Sequence, residues 1–267
     1  MASAKKMAPR AKTSATVKPG GGKTRADTLL AAQGLADSRT RAQSQIMAGN
    51  VYLDERRINK PGEMLPTDAI LSLRGPDHPW VSRGGLKLEH ALTHFEISVS
   101  ESICLDVGAS TGGFTDVLLT TGAAKVYAVD VGKGQLAWKL RNDPRVTALE
   151  GTNARNLTAE DVPELVDIIV CDASFIGLEK VLPAPLQRAK PGAYLIALIK
   201  PQFQAGRDQV GKGGVVRDPE IHQAVCDFIQ RWLEFDLSWR VIGITESPIT
   251  GPKGNKEFLI AAQAPAE

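Results

Sequence analysis

Between residues 102 and 263 the chain carries seven short apolar runs, and helical periodicity fills most of the gaps between them. The runs are SICLDVG, KVYAVDVG, RVTALEG, VDIIVCD, GAYLIALIK, LSWRVIGI and KEFLIAAQ. Strands that are apolar at consecutive positions need cover on both faces, and helices between them supply it. The alternation therefore predicts an α/β domain, a mainly parallel sheet with helices on both faces. GGFTDVLLTTG, QLAWKLRND, LEKVLPAPLQRA and PEIHQAVCDFIQRWLEF are the expected helices. No helical stretch separates the last two runs, which predicts an antiparallel hairpin at an edge.

A smaller unit is expected ahead of the sheet. Residues 1–24 hold six Lys+Arg and no acid, with too little apolar surface to offset chain entropy, so a disordered basic tail is expected there. In 25–75, RADTLLAAQGLA reads as a helix ended by Gly34, and SRTRAQSQIMAG as a second one capped by Ser38. Short strands and turns follow up to residue 75, making a small α+β unit. PDHPWVS (76–82) reads as a proline-bounded linker, and 83–264 as the sheet domain.

Charge and composition narrow the function classes. Residues 1–75 carry 13 Lys+Arg against 6 Asp+Glu, and the remainder 19 against 24. A basic arm on a mildly acidic body is suited to meeting a polyanion. No apolar run is long enough to cross a bilayer, which argues against a membrane partner. Cys104, Cys171 and Cys226 are far apart and odd in number, as for core cysteines in a reducing compartment. The four histidines show no metal-ligand spacing, so no metal is expected. A cytoplasmic location follows from these features.

ICLDVGASTGGFTD reads as strand, glycine turn and helix start. It lacks the spacing of a phosphate-cradling P-loop, and Ser110 stands where a dinucleotide fingerprint places its second glycine. Asp106 puts a carboxylate at the strand's end, which suits a cationic ligand. Asp130 ends the next strand, 22 residues after Gly108, placed to bind ribose hydroxyls. That acid serves a nicotinamide cofactor and S-adenosylmethionine equally well.

Two later apolar runs stop on ionisable residues, VDIIVCD on Asp172 and GAYLIALIK on Lys200. Ligands of open α/β sheets bind beyond the carboxyl ends of the strands. Paired there, Asp172 and Lys200 would explain a lysine at the end of a buried strand. Lys87, in RGGLKLEHALTHF, and Glu257, opening the last strand, fit the same site. Ser110, Ser174 and Cys171 are candidate nucleophiles, but no histidine lies in a motif that pairs with any of them. Trp138, Trp232 and Trp239 fit core packing. Trp80 lies in the linker, and Phe175 could pack in the core or stack on a flipped base. The glycine-rich loop GRDQVGKGGVVRD (206–218) is expected to be mobile and to meet RNA phosphates.

Several motifs carry family resemblances. R25-A-D-T-L, S38-R-T-R-A and G49-N-V-Y-L resemble the small RNA-binding module of the S-four type, which implies RNA contact through Arg25, Arg39 and Arg41. D-V-G-A-S-T-G-G-F-T resembles the first motif of class I methyltransferases. The set Lys87, Asp172, Lys200, Glu257 is similar to the K-D-K-E tetrad of FtsJ-type ribose 2′-O-methyltransferases. With SRGGLKLEHAL, IKPQFQAG and GKGGVVRD, the chain resembles the TlyA family, once labelled hemolysins. That resemblance implies a class I, Rossmann-like sheet and S-adenosyl-L-methionine as methyl donor. It also implies 2′-O-methylation of cytidine in 16S or 23S ribosomal RNA. The implied cofactor contacts are Asp106, Gly108, Ser110, Gly112, Gly113, Phe114, Asp130, Val131, Asn153 and Asp172, and Arg83 joins the RNA contacts. Lys200 is then the central residue, Asp172 and Glu257 the carboxylates that orient it, and Lys87 a second electrostatic group. The readings left beside this one are a non-catalytic RNA-binding protein and a nicotinamide-dependent oxidoreductase. A membrane-lytic toxin finds no amphipathic or apolar membrane segment to support it.

Overall fold

Residues 22–47, 49–75 and 78–266 are described by the computed structural model, and they fall into two units divided between Asp77 and His78. The part of the expected tail before Gly22 and the linker residues Pro76 and Asp77 lie outside the described residues.

In the first unit β1 (Lys23–Arg25) leads directly into α1 (Ala26–Ala32), and α2 (Arg39–Met47) follows. Strands β2 (Val51–Leu53), β3 (Arg56–Arg57), β4 (Met64–Pro66) and β5 (Leu71–Leu73) complete it. β1 pairs antiparallel with β4, and β2 lies between β3 and β5. Lys23 and Thr24, expected in the tail, thus belong to this unit; a three-residue strand without apolar alternation leaves no periodic signal. Leu30, Ile46, Val51, Ile58 and Leu65 form the core. Ser38 Oγ accepts from the Arg41 N–H at 3.1 Å, capping α2.

Asp27 is fully buried beside that core. It accepts from Arg25 (Nη2 2.9 Å), from Gln43 Nε2 (2.8 Å) and from Arg39 Nε (3.1 Å). The Arg25 bonds, helped by Gln43 and Arg39, hold its carboxyl well below the usual range against the opposing effect of burial. Two of the arginines expected at RNA are therefore anchored from behind by a buried acid, while their outer faces stay exposed. Arg41 is exposed as well.

The second unit opens on α3 (Gly85–His94) and then alternates: β6 (Ile103–Val107), α4 (Gly113–Thr120), β7 (Lys125–Asp130), α5 (Trp138–Arg141), β8 (Val146–Glu150) and β9 (Val166–Cys171). Helices α6 (Leu178–Val181) and α7 (Pro183–Leu186), strand β10 (Ala189–Ile199) and helices α8 (Pro201–Gln204) and α9 (Pro219–Arg231) precede β11 (Arg240–Glu246) and β12 (Phe258–Gln263). The seven strands form one sheet in the order β11-β12-β10-β9-β6-β7-β8. The five strands β6 to β10 run parallel, and β12 is antiparallel to both of its neighbours. The last two strands do pair antiparallel, but β12 lies inside the sheet and only β11 is at the edge. Consecutive residues of the strands enter opposite cores: Leu105, Ile169 and Leu195 one, Cys104, Ile168 and Ile196 the other. This two-sided burial is why the runs lack alternation.

Several local expectations change. LEKVLPAPLQRA forms two one-turn helices, because Pro183 cannot donate the N–H a continuous helix needs. The expected linker residues Trp80 and Val81 belong to the second unit: Trp80 is buried and donates to Glu89 Oε2 at 3.2 Å, and the Val81 N–H donates to Asp116 Oδ2 at 2.8 Å. Trp138 is 77% exposed rather than packed, whereas Trp239 is buried. The loop expected to be mobile is tied down. Asn255 accepts from the Val216 N–H at 3.1 Å and donates to Gly214 O at 3.0 Å, with Val215 and Val216 buried.

Candidate active site

Strand order reverses between β6 and β9, so the loops that follow them leave toward opposite sides and open a crevice at the carboxyl ends. Register brings the charged residues to that end. Val107 pairs with Cys171 and Cys171 with Ala197, so Gly108, Asp172 and Lys200 leave the sheet together. Ile199 pairs with Phe258, which sets Glu257 beside Lys200 although β12 runs the other way. Lys87 comes in on the first turn of α3. Pro201 ends β10 and restricts Lys200 to its extended backbone (φ −116°, ψ 97°).

The four side chains interlock as an alternating row of charges. Lys200 Nζ lies 2.6 Å from Asp172 Oδ1, meeting it off the hydrogen-bond axis, and donates to Asp172 O (3.1 Å) and Ser174 Oγ (2.9 Å). Lys87 Nζ sits 3.6 Å from Asp172 Oδ2 and donates to Glu257 Oε2 at 2.7 Å. Glu257 therefore pairs with Lys87 and not with Lys200 as expected, since Asp172 occupies the space next to Lys200. Gln202 Nε2 donates to the other Glu257 oxygen at 3.3 Å. Sequence reasoning missed Gln202, whose one signal was its place two residues after Lys200.

Two adjoining cavities meet at this row. One of about 350 Å³ is lined by Lys87, Asp172, Lys200, Glu257, Gly113 and Phe114 among others. Arg83 also lines it and donates to Thr250 O at 2.5 Å. The second, about 520 Å³, is lined by Val129, Asp130, Val131, Asn153 and Phe175. Gly108, Ser110, Asp172 and Ser174 border both. Asp130 accepts the Ser110 N–H (2.8 Å) and the Gly132 N–H (2.7 Å), one on each oxygen. Each oxygen keeps a lone pair aimed for a further donor. An apolar wall of Val129, Val131, Ile176 and Val181 beside the fixed Asp130 carboxylate suits a nucleoside.

Asp106 and Gly112 do not reach either cavity. A Cβ at Gly112 (φ +95°) would strike Leu140 and Leu136, and one at Gly108 (φ +83°) the Ala173 backbone at 3.0 Å. The turn thus needs glycine to pack. Asp106, two residues before Gly108, is fully buried, with Oδ2 accepting from Thr115 Oγ1 at 2.7 Å and Oδ1 without a partner among the described residues. Its burial removes it from the direct contact with a ligand that the sequence led one to expect.

Burial, reinforced by the charges of Asp172 and Asp130 and opposed by the Thr115 bond, pushes the Asp106 carboxyl from 3.8 up to about 7. Between those values the folded protein keeps a proton that the unfolded chain has lost. This group's effect on stability is thus most favourable at low pH and declines as pH rises through 7. Over pH 5 to 8 the decline amounts to about 2–3 kcal/mol. In denaturant titrations at the two pH values, Asp106→Asn should lose that difference; an unchanged pH dependence would show that the buried carboxyl is not its source.

Among the described residues no group of three or more His, Cys, Asp and Glu could hold a metal, and no helix is long and apolar enough to cross a membrane. Residues 24–71 match the S4 domain. The chain is 47% identical to the 16S/23S rRNA (cytidine-2′-O)-methyltransferase TlyA of Mycobacterium tuberculosis, over 89% of each chain. It is 41% identical to Hemolysin A of Brachyspira hyodysenteriae, over 88% of this chain and 98% of the relative. A solved structure of a hemolysin-named protein from Streptococcus thermophilus superposes with a TM-score of 0.72 at 44% identity, covering 92% of this chain and 90% of the other. Residues 80–264, which hold both cavities and all four interlocked charges, match the FtsJ-like methyltransferase model, and the chain belongs to that family.

Proposed function

We propose that this protein methylates the ribose 2′-hydroxyl of cytidine in ribosomal RNA, with S-adenosyl-L-methionine as donor, in the cytoplasm where ribosomal subunits are found. The carrying observation is the Lys200–Asp172–Lys87–Glu257 row at the junction of two cavities. One cavity suits the donor's nucleoside and the other an incoming ribose. The names of the relatives support the substrate.

S-adenosyl-L-methionine supplies a methyl carbon whose bond to sulfur breaks, the pair staying on sulfur, as the bond to the 2′-oxygen forms. Asp130, with both oxygens oriented by backbone N–H groups, binds the donor's ribose hydroxyls, and Val131 and Asn153 line the base side. Gly108, Ser110, Gly113 and Phe114 line the passage toward the tetrad. Asp106, partly ionised at neutral pH, acts through the turn as a buried negative charge that favours a cation above it.

Lys200, oriented by Asp172, stabilises the negative charge on the 2′-oxygen, and the hydroxyl proton passes to solvent. Lys87 and Glu257 fix Asp172 from its other side. Phe175 is 88% exposed, lies 4.8 Å from the Phe203 ring and adopts φ +66°, a strained backbone for a bulky residue. It is set to stack on the displaced cytosine. Arg41, with the outer faces of Arg25 and Arg39, binds RNA phosphates, and Arg83 serves the same role at the cavity rim.

The test is transfer of labelled methyl from S-adenosyl-L-methionine to isolated ribosomal subunits, followed by alkaline digestion. Label in alkali-resistant dinucleotides that map to cytidine is expected. Label in mononucleotides would mean base methylation, and no label would remove the proposal.

A further inference from the structure

Ser174 lies two residues past Asp172, and its Oγ accepts from Lys200 Nζ at 2.9 Å. The residue is exposed and borders both cavities, at the place where donor and acceptor must meet. The other partners of Lys200, Asp172 Oδ1 and Asp172 O, only accept. A hydroxyl both accepts and donates, and the Ser174 hydrogen meets no acceptor among the described residues. The lysine thus polarises a hydroxyl that borders both cavities and keeps its own hydrogen to donate.

Resting on the function proposed above, we infer that Ser174 is a catalytic residue whose O–H donates to the attacking 2′-oxygen. The chain of donors runs from Lys200 Nζ–H to Ser174 Oγ–H to the ribose oxygen. Each bond strengthens the next, and the first is charge-assisted. Ser174 thereby supplies to the 2′-oxygen what an oxyanion-hole donor supplies to a carbonyl oxygen: a hydrogen bond that tightens as negative charge grows. No bond of Ser174 is broken, and its proton stays on Oγ.

The experiment compares wild-type protein, Ser174→Ala and Ser174→Thr in the methyl-transfer assay, with donor affinity measured by calorimetry as a check on folding. Ser174→Ala should lower kcat roughly 100-fold, while the KM for RNA and the donor Kd stay within about threefold. Ser174→Thr, which keeps the hydroxyl, should recover to within about tenfold of wild type. A Ser174→Ala enzyme with full kcat overturns the inference, as does a loss confined to KM or donor Kd, or a threonine variant as slow as alanine. Wild-type protein that forms no 2′-O-methyl product overturns the proposed function and this inference together. A wild-type product with an unimpaired Ser174→Ala enzyme overturns the role of Ser174 alone.

Discussion

Lys200→Ala is expected to lower the rate of methyl transfer at least about 1,000-fold while donor affinity stays near that of the wild type. The lysine is buried, points at the junction of the cavities and carries the charge nearest to Ser174 and Asp172. Its ammonium is worth most when the ribose oxygen gains negative charge, in a cleft from which bulk water is largely excluded. The nucleoside cavity, by contrast, is built on β7 and the loop after β8, and Lys200 does not line it. Single-turnover assays on ribosomal subunits and calorimetry with the donor separate the two effects. Turnover near the wild-type rate would leave the row of charges without its central role.

Lys87→Met is expected to destabilise the second unit by about 3 kcal/mol or more, because Glu257 would be left as a buried charge with its cation gone. The Glu257 side chain is 1% exposed and that of Lys87 9%, so water cannot replace either partner. Gln202 alone would remain on Glu257, at 3.3 Å. For a unit of this size the loss corresponds to about 6–12 °C in Tm. The double variant Lys87→Met/Glu257→Gln removes both charges and should cost less than Lys87→Met alone. Thermal unfolding of the two single variants and the double variant decides it. Additive losses would mean that the 2.7 Å pair contributes no coupling.

The central sheet strands left nearly continuous apolar runs, and Asp172 and Lys200 stood out because an ionisable residue ended such a run. The same residues in helices or loops would have been unremarkable. The pairing pattern was less visible. Glu257 reaches Lys87 only because β12 inserts antiparallel beside β10, and no local signal fixes that insertion. Asp106 looked like a ligand contact from its place before the glycines, yet its side chain is fully buried on Thr115 and lines neither cavity. The clasp of Asn255 on the 214–216 segment joins residues about 40 positions apart, so the glycine content of the loop was the only thing readable. Arg25 and Arg39 were identified by motif, while Asp27, which holds both, went unassigned. The nicotinamide reading survived the sequence because Asp130 serves either cofactor; membership in a methyltransferase family removes it.

The position of β12 also has a consequence in time. Glu257 stands 170 positions beyond Lys87. A chain emerging from the ribosome can pair β6 to β10 and form the nucleoside cavity before Glu257 has been made. Until β12 pairs with β10, bringing the edge strand β11 with it, Lys87 lacks its nearest carboxylate and the row of charges is open at one end. Closing the row of charges is therefore a late and strongly non-local event in folding, one that must bring together residues 170 positions apart.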